Sequence, residues 1–207
     1  TPLYSSAASD VYKRQFVHGA LPGEEVRAKI LRKHPRFDEA EAVEVTNPCG
    51  DRIEPRCEYF GVCGGCSLQH VDEEFQLRHK QHVLLELLQN QAHISPHRVA
   101  QPIRGPQWGY RRKARLGVKL VPKKGGVLVG FRERAKSFIT DCVKCDVLDN
   151  RVGERLAQLR ALIAGLSIPG DVPQIEVALG DTRGALIVRH LKPVSYTHLT
   201  LPTNREV

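Results

Sequence analysis

From Tyr110 to Val121 apolar and basic residues alternate. Tyr110, Ala114, Leu116, Val118 and Leu120 fall on one side and Arg111, Lys113, Arg115 and Lys119 on the other, the period-two pattern of a half-buried strand with one basic face. Pro122 to Gly126 is a turn leading into Val127 to Phe131, which makes a hairpin, and Ser137 to Asp141 is predicted as a third strand. Ile175 to Leu179 and Ala185 to Arg189, joined by Gly180 to Gly184, form a second hairpin. Nearer the start, Val26, Ala28 and Ile30 alternate with Arg27, Lys29 and Leu31, and Val43 and Val45 flank Glu44 after a polar turn at Pro35 to Glu39. Phe16 to Pro48 therefore reads as part of a small β-barrel whose first strands are missing.

Two stretches carry a helical period. Asp72 is positioned to cap a helix running to about Asn90, with Glu73 and Glu74 in its first turn and Leu77, Leu84 and Leu88 on one face. Asp149 to Leu166 is amphipathic, with Val152, Leu156, Leu159 and Ile163 on one stripe. His93 to Pro106 is a proline-rich connector. The mixture predicts an α+β fold.

With 41% hydrophobic and 26% charged residues in 207, the chain has the composition of an ordinary folded protein of one or two domains. No apolar run approaches the ~18 residues that span a bilayer, and the beginning lacks a basic-then-apolar signal pattern, so a cytoplasmic, reducing location and no membrane partner are expected. There is no Met, and the chain begins Thr1-Pro2, as a piece of something longer would. The two ends share one DNA element. GCAGCGTCAGATGTGTATAAGAGA encodes Ala7 to Arg14, and its reverse complement, read from the third base, encodes Ser195 to Leu201. That element resembles a transposase sequencing adaptor, so residues 1–15 and 194–207 are read as adaptor-like tails outside the fold.

Charge is uneven along the remaining core. Between Pro102 and Cys145 twelve Lys and Arg stand against Glu133 and Asp141 alone, while the rest of the core is slightly acidic. Such a concentrated basic segment is the electrostatic footprint of a nucleic-acid binder, its alternative being a solvated strand face. Tyr110 and Trp108 border it as candidate stacking rings, although Trp108 reads first as a core or turn anchor.

Six cysteines in a reducing compartment point to metal or reactive thiols rather than disulfides. Cys57, Cys63 and Cys66 occur as C-x5-C-x2-C around Gly64-Gly65, a pair expected to supply positive φ and aim N–H groups at the sulfurs. A fourth ligand must come from elsewhere. With both Cys142 and Cys145 the pattern is a two-knuckle zinc site that leaves Cys57 and Cys49 aside; with Cys145 alone it is a four-thiolate iron-sulfur site. Spacing leaves the two comparable. His70 reads as a packing or capping histidine.

The runs Cys57-Glu-Tyr-Phe-Gly-Val-Cys-Gly-Gly-Cys-Ser-Leu-Gln-His70, Trp108-Gly-Tyr-Arg-Arg-Lys-Ala-Arg-Leu116, Val129-Gly-Phe-Arg132 and Lys144-Cys-Asp-Val-Leu148 together resemble the iron-sulfur 23S ribosomal RNA uracil-5 methyltransferases. The resemblance covers about Phe16 to Pro193. It implies a partial TRAM domain, an OB-like RNA-binding barrel, at residues 16–48. A central domain at 49–193 would follow, with an antiparallel sheet, helices and a [4Fe-4S] cluster on Cys57, Cys63, Cys66 and Cys145, leaving Cys49 and Cys142 as ordinary thiols. It implies 23S ribosomal RNA as partner, a monomer, and phosphate contacts from Arg111, Lys113, Arg115, Lys119 and Arg132. In that family a cysteine thiolate adds to C6 of a flipped uracil, C5 takes the methyl group of S-adenosylmethionine, and a base removes the C5 proton. The nucleophile, the base and the cofactor site belong to a C-terminal domain missing here, so no catalytic residue is assigned and the chain alone is expected to be inactive. The helix at 72–90 would pack against that absent domain.

Two rivals remain. A non-enzymatic zinc-dependent RNA-binding module would use Cys142 and Cys145 together. A radical methylthiotransferase also combines iron-sulfur chemistry with a TRAM domain, but in a different order and with a different cysteine spacing.

Overall fold

The computed structural model describes residues 4–5 and 14–192, so the adaptor-like tail at 194–207 and most of the one at 1–15 lie outside the described residues. The fold is mixed α+β, with two four-stranded sheets and few helices. The described chain divides into two compact units: one runs to Pro106 and takes in Arg132–Phe138, and the other comprises Gln107–Phe131 and the residues from Ile139 onward.

The first unit carries strands β1 (Tyr4–Ser5), β2 (Arg14–His18), β3 (Glu25–Lys33) and β4 (Phe37–Asn47) in the order β1-β2-β4-β3. β3 and β4 form the antiparallel hairpin expected from their alternation, and β2 lies parallel to β4. The β2–β4 ladder begins at Arg14, paired with Phe37, with Gln15 facing Asp38, and Tyr4 and Ser5 of β1 pair antiparallel with His18 and Val17, so the sheet takes in four residues of the stretch read as a tail. Backbone pairing accepts any side chain, and alternation alone does not mark where a ladder starts. Val17, Ala20 and Ala40 are buried together, with Val26 and Ala42 packed on them. The remainder of β3 is exposed on both faces, including Ile30 and Leu31, although its alternation suggests one buried face. It is an edge strand with three register shifts against β4, and bulges twist an edge away from the layer beneath it.

Helix α1 (Glu73–Ala92) starts where its cap predicts. Asp72 Oδ1 accepts hydrogen bonds from the N–H groups of Glu74 at 2.9 Å and Phe75 at 3.3 Å. It runs two residues past Asn90, and none of its twenty residues is buried. The Leu77, Leu84, Leu88 stripe is thus only partly covered within this unit.

In the second unit β5 (Lys113–Val121), β6 (Gly126–Gly130), β7 (Gln174–Leu179) and β8 (Gly184–Arg189) make an antiparallel sheet in the order β6-β5-β7-β8. The predicted helix at 149–166 is two pieces, α2 (Asn150–Gly153) and α3 (Leu156–Ala164). Asp149 caps the first, and the chain leaves the helical path at Arg155, so that Leu156, Leu159 and Ile163 are buried from α3. Ser137 to Asp141 is not a strand. It is a strap held by the bonds from Glu133 N–H to Phe138 O and from Thr140 N–H to Phe131 O. Ile139 occupies the space that a side chain on Gly117 would need, a Cβ there falling 2.3 Å from Ile139 Cδ1.

Candidate functional site

The cysteine loop is built in the first unit. Phe60 N–H bonds Cys57 O at 3.0 Å and Cys63 N–H bonds Tyr59 O at 2.9 Å, folding Cys57 to Cys63 into successive tight turns. The strap at Arg132–Phe138 then clamps it, with Gly64 N–H to Arg132 O and Arg134 N–H to Val62 O, both at 2.8 Å, and a bridge between Cys63 and Glu133. Gln69 Oε1 accepts from Cys57 N–H at 3.1 Å.

The glycines act otherwise than expected. Positive φ occurs at Gly61, not at Gly64 or Gly65. Gly64 is needed for space, because a Cβ would stand 2.9 Å from Arg132 O. Gly65 does direct its N–H at a sulfur, Cys63 Sγ at 3.4 Å.

Cys145 belongs to the second unit, in a turn closed by its N–H on Gly153 O at 2.9 Å. Gly153 is buried, and a Cβ on it would come within 2.4 Å of Cys145 O. Cys142 is buried in the same unit, with its sulfur against Gly130, whereas Cys49 packs beside Leu21 and Val71 in the first. Among the described residues no group of three or more His, Cys, Asp or Glu side chains is gathered so as to hold a metal ion. What fits a thiolate-bound group is therefore the donor chemistry: three thiols within ten residues of a clamped loop, one already receiving an N–H.

The basic strand forms as predicted through its middle. Lys113, Arg115 and Lys119 are exposed, while Ala114, Leu116 and Val118 are buried. Tyr110 and Leu120 depart from the pattern and are exposed. Arg111 precedes β5, its guanidinium 5.5 Å from the Phe131 ring centre. Arg115 faces Glu176 across the β5–β7 ladder, and that carboxylate is also bonded by Arg189 at 2.6 Å. The Arg189 hydrogen bond leads in holding the Glu176 carboxyl below its usual range. Arg112 pairs with Asp181. Lys113 and Lys119 make no ion pair among the described residues. Arg132 is exposed but belongs to the other unit. Trp108 is half-buried and donates from Nε1 to Gln107 Oε1 at 3.1 Å.

Sequence reasoning did not single out the polar lock beneath the cysteine loop. Glu24, its side chain fully covered, accepts from Arg52, Leu21 N–H and Cys49 N–H. Burial works against its charge, but these bonds together hold it down at about 2. Beside it His70 is buried, with burial and Arg52 lowering it to about 4. The role expected of His70 is met as packing, against Phe60; the cap is Asp72. A buried carboxylate partner for Arg52 carries no periodic signal by which sequence could find it.

Among the described residues no helix is long and apolar enough to cross a membrane.

No family model matches the chain. It is 56% identical over 184 residues to a protein of Alkalilimnicola ehrlichii named 23S rRNA (uracil(1939)-C(5))-methyltransferase, an alignment covering 89% of this chain and 41% of that one. A protein of the same name from Bordetella avium is 48% identical over 186 residues, covering 90% and 39%. Among solved structures, the Pyrococcus abyssi tRNA (uracil-54, C5)-methyltransferase in complex with S-adenosyl-L-homocysteine matches with a TM-score of 0.54 at 20% identity, over 84% of this chain and 40% of that one, a likeness of fold. The chain spans about two fifths of the length of the curated relatives it matches. Over that shared stretch the chain is homologous to proteins named as 23S rRNA uracil-C5 methyltransferases, the resemblance that its cysteine loop implies.

Proposed function

We infer that the chain is the RNA-binding and [4Fe-4S]-binding portion of an S-adenosylmethionine-dependent 23S rRNA uracil-C5 methyltransferase. The observation that carries this is the 56% identity over 184 residues to a relative of that name. In this reading Cys57, Cys63, Cys66 and Cys145 are the cluster ligands. When bound, a four-thiolate cluster cross-links the segments that hold it. The chain's own residues do the rest: the strap at Arg132–Phe138 fixes the loop that presents three thiols, and Gly65 N–H supports the charge on Cys63.

Lys113 and Lys119, with Arg111, Arg115 and Arg132, contact RNA phosphates. The part of the sheet within residues 16–48, on strands β2, β3 and β4, is the partial TRAM barrel. No residue of this chain is assigned to methyl transfer or to S-adenosylmethionine, both of which belong to the full-length enzyme. Helix α1, without a buried residue, is the element proposed to pack against the rest of that enzyme, since the relatives extend well beyond the matched two fifths. A cytoplasmic location accompanies this function.

The test is binding and turnover measured side by side. The 207-residue chain should bind an unmodified 23S rRNA fragment with strong salt dependence, yet neither bind S-adenosylmethionine by calorimetry nor transfer a tritiated methyl group. Turnover lost on substitution of Cys49 or Cys142 would overturn the division of labour.

A further inference from the structure

The first unit contains a cavity of about 490 Å³, bordered by Gly19, Arg52, Ile53, Pro55, Phe60 and His70 among others. Its size suits a nucleoside-sized ligand. His70 is only 5% exposed, yet neither of its ring nitrogens has a hydrogen-bond partner. Leaving such groups unsatisfied costs stability unless something else meets them. The Ile53 N–H bond to His70 O at 3.1 Å fixes the backbone at this point, so the ring is held at the cavity wall.

The walls also say what kind of molecule fits. Arg52 is the cation among the lining residues, and its charge is already paired with Glu24, Nε donating to Glu24 Oε1 at 2.5 Å and Nη2 to Glu24 Oε2 at 2.6 Å and to Gly19 O at 2.7 Å. Glu54, also at the border, is exposed and acidic. Among the lining residues a phosphate would meet one positive charge, already paired with Glu24, and the negative charge of Glu54. Phe60 leans on His70 with ring centres 5.3 Å apart and planes tilted 35°, and it adds aromatic surface to the same cavity. A neutral imidazole presents one donor and one acceptor nitrogen. Burial keeps His70 in that neutral form at ordinary pH.

We propose that this cavity takes an unstacked, uncharged nucleobase, packed on Phe60 and hydrogen-bonded by a ring nitrogen of His70. The proposal rests on the RNA-binding reading for the source of the base, an unpaired nucleotide of the bound RNA. Base stacking on aromatic rings with hydrogen bonds to base edges is how single-stranded RNA is commonly held. The cavity belongs to the first unit and the basic strand to the second.

The experiment follows the ring 15N signals of His70 in the 207-residue chain during titration with adenosine, with uridine, and with ribose 5-phosphate as the base-free control. The nucleosides should give saturable His70 shifts and ribose 5-phosphate none. A single-stranded RNA octamer should shift the same signals, and Phe60→Leu and His70→Gln should each weaken its binding about 10-fold without altering the salt slope. Nucleoside shifts with no octamer binding would uphold the cavity and overturn its RNA source. Octamer binding weakened only by removing Lys113 and Lys119 would leave the RNA reading standing and overturn the cavity. Absent shifts with both nucleosides, or shifts with ribose 5-phosphate, overturn it in the wild-type chain, whatever the variants' folding.

Discussion

Arg52 grips Glu24 through two parallel hydrogen bonds, Nε to Oε1 at 2.5 Å and Nη2 to Oε2 at 2.6 Å, and the carboxylate accepts two backbone N–H groups besides. The pair joins the turn before β3 to the segment just ahead of the cysteine loop. Glu24→Ala should therefore destabilise the first unit by about 3 kcal/mol, because it leaves a largely covered guanidinium without its counter-charge. Arg52→Lys should recover little, since an ammonium cannot reproduce the fork. Guanidinium chloride unfolding at pH 7 checks both; a Glu24→Ala curve superimposed on wild type would show the pair to be inert.

Acid should weaken the fold in two stages. His70 is lowered to about 4 from an ordinary value of 6.5, so the unfolded chain takes up this proton first. Its contribution is complete above pH 6.5 and is lost as pH falls toward 4. Glu24 is held at about 2, against 4.5, and its contribution is lost only below pH 4.5. His18 and His79 are also lowered, chiefly by burial, and add to the first stage. In His70→Gln the loss between pH 6.5 and 4 should shrink, while the step below 4.5 remains. A stability-against-pH profile with an unchanged first stage would contradict this.

Gly64→Ala should displace the cysteine loop, because the new Cβ would lie 2.9 Å from Arg132 O, a backbone atom that cannot swing aside. Gly153→Ala should do the same to the turn carrying Cys145, with 2.4 Å to its carbonyl. Each is expected to cost about 1–3 kcal/mol and to lower iron content. Gly50→Ala, with nothing within 4 Å, is the neutral control. Equal iron in all three would remove the steric argument.

The basic face should not act uniformly. Lys113→Ala and Lys119→Ala are each expected to lower the log-log salt slope of RNA binding by about 0.7 to 0.9. Arg115→Ala should do less, since Glu176 already faces it across the ladder. Slopes unchanged from wild type in all three variants would indicate a solvated surface, and three equally lowered slopes would remove the distinction drawn for Arg115.

Elements with a strict period were legible in the sequence. The alternation through the middle of β5 and the Asp72 cap appear as read, because burial on one face and orphan N–H groups at a helix start both demand particular residues. Ser137 to Asp141 misled because Ile139 is apolar for a different reason, filling the notch at Gly117. The break at Arg155 was invisible, since the apolar stripe continues across it. At the site, the cysteine spacing is legible, but the clamp from Arg132–Phe138 and the cavity at His70 are contacts between distant segments with no local pattern.

In the proposed function Cys57, Cys63, Cys66 and Cys145 hold one iron-sulfur cluster, and metal analysis of anaerobically purified chain decides whether they do. About four iron and four acid-labile sulfide per chain are predicted, lost on Cys145→Ala and kept on Cys142→Ala. One zinc without sulfide, lost on Cys142→Ala and kept on Cys57→Ala, would contradict it.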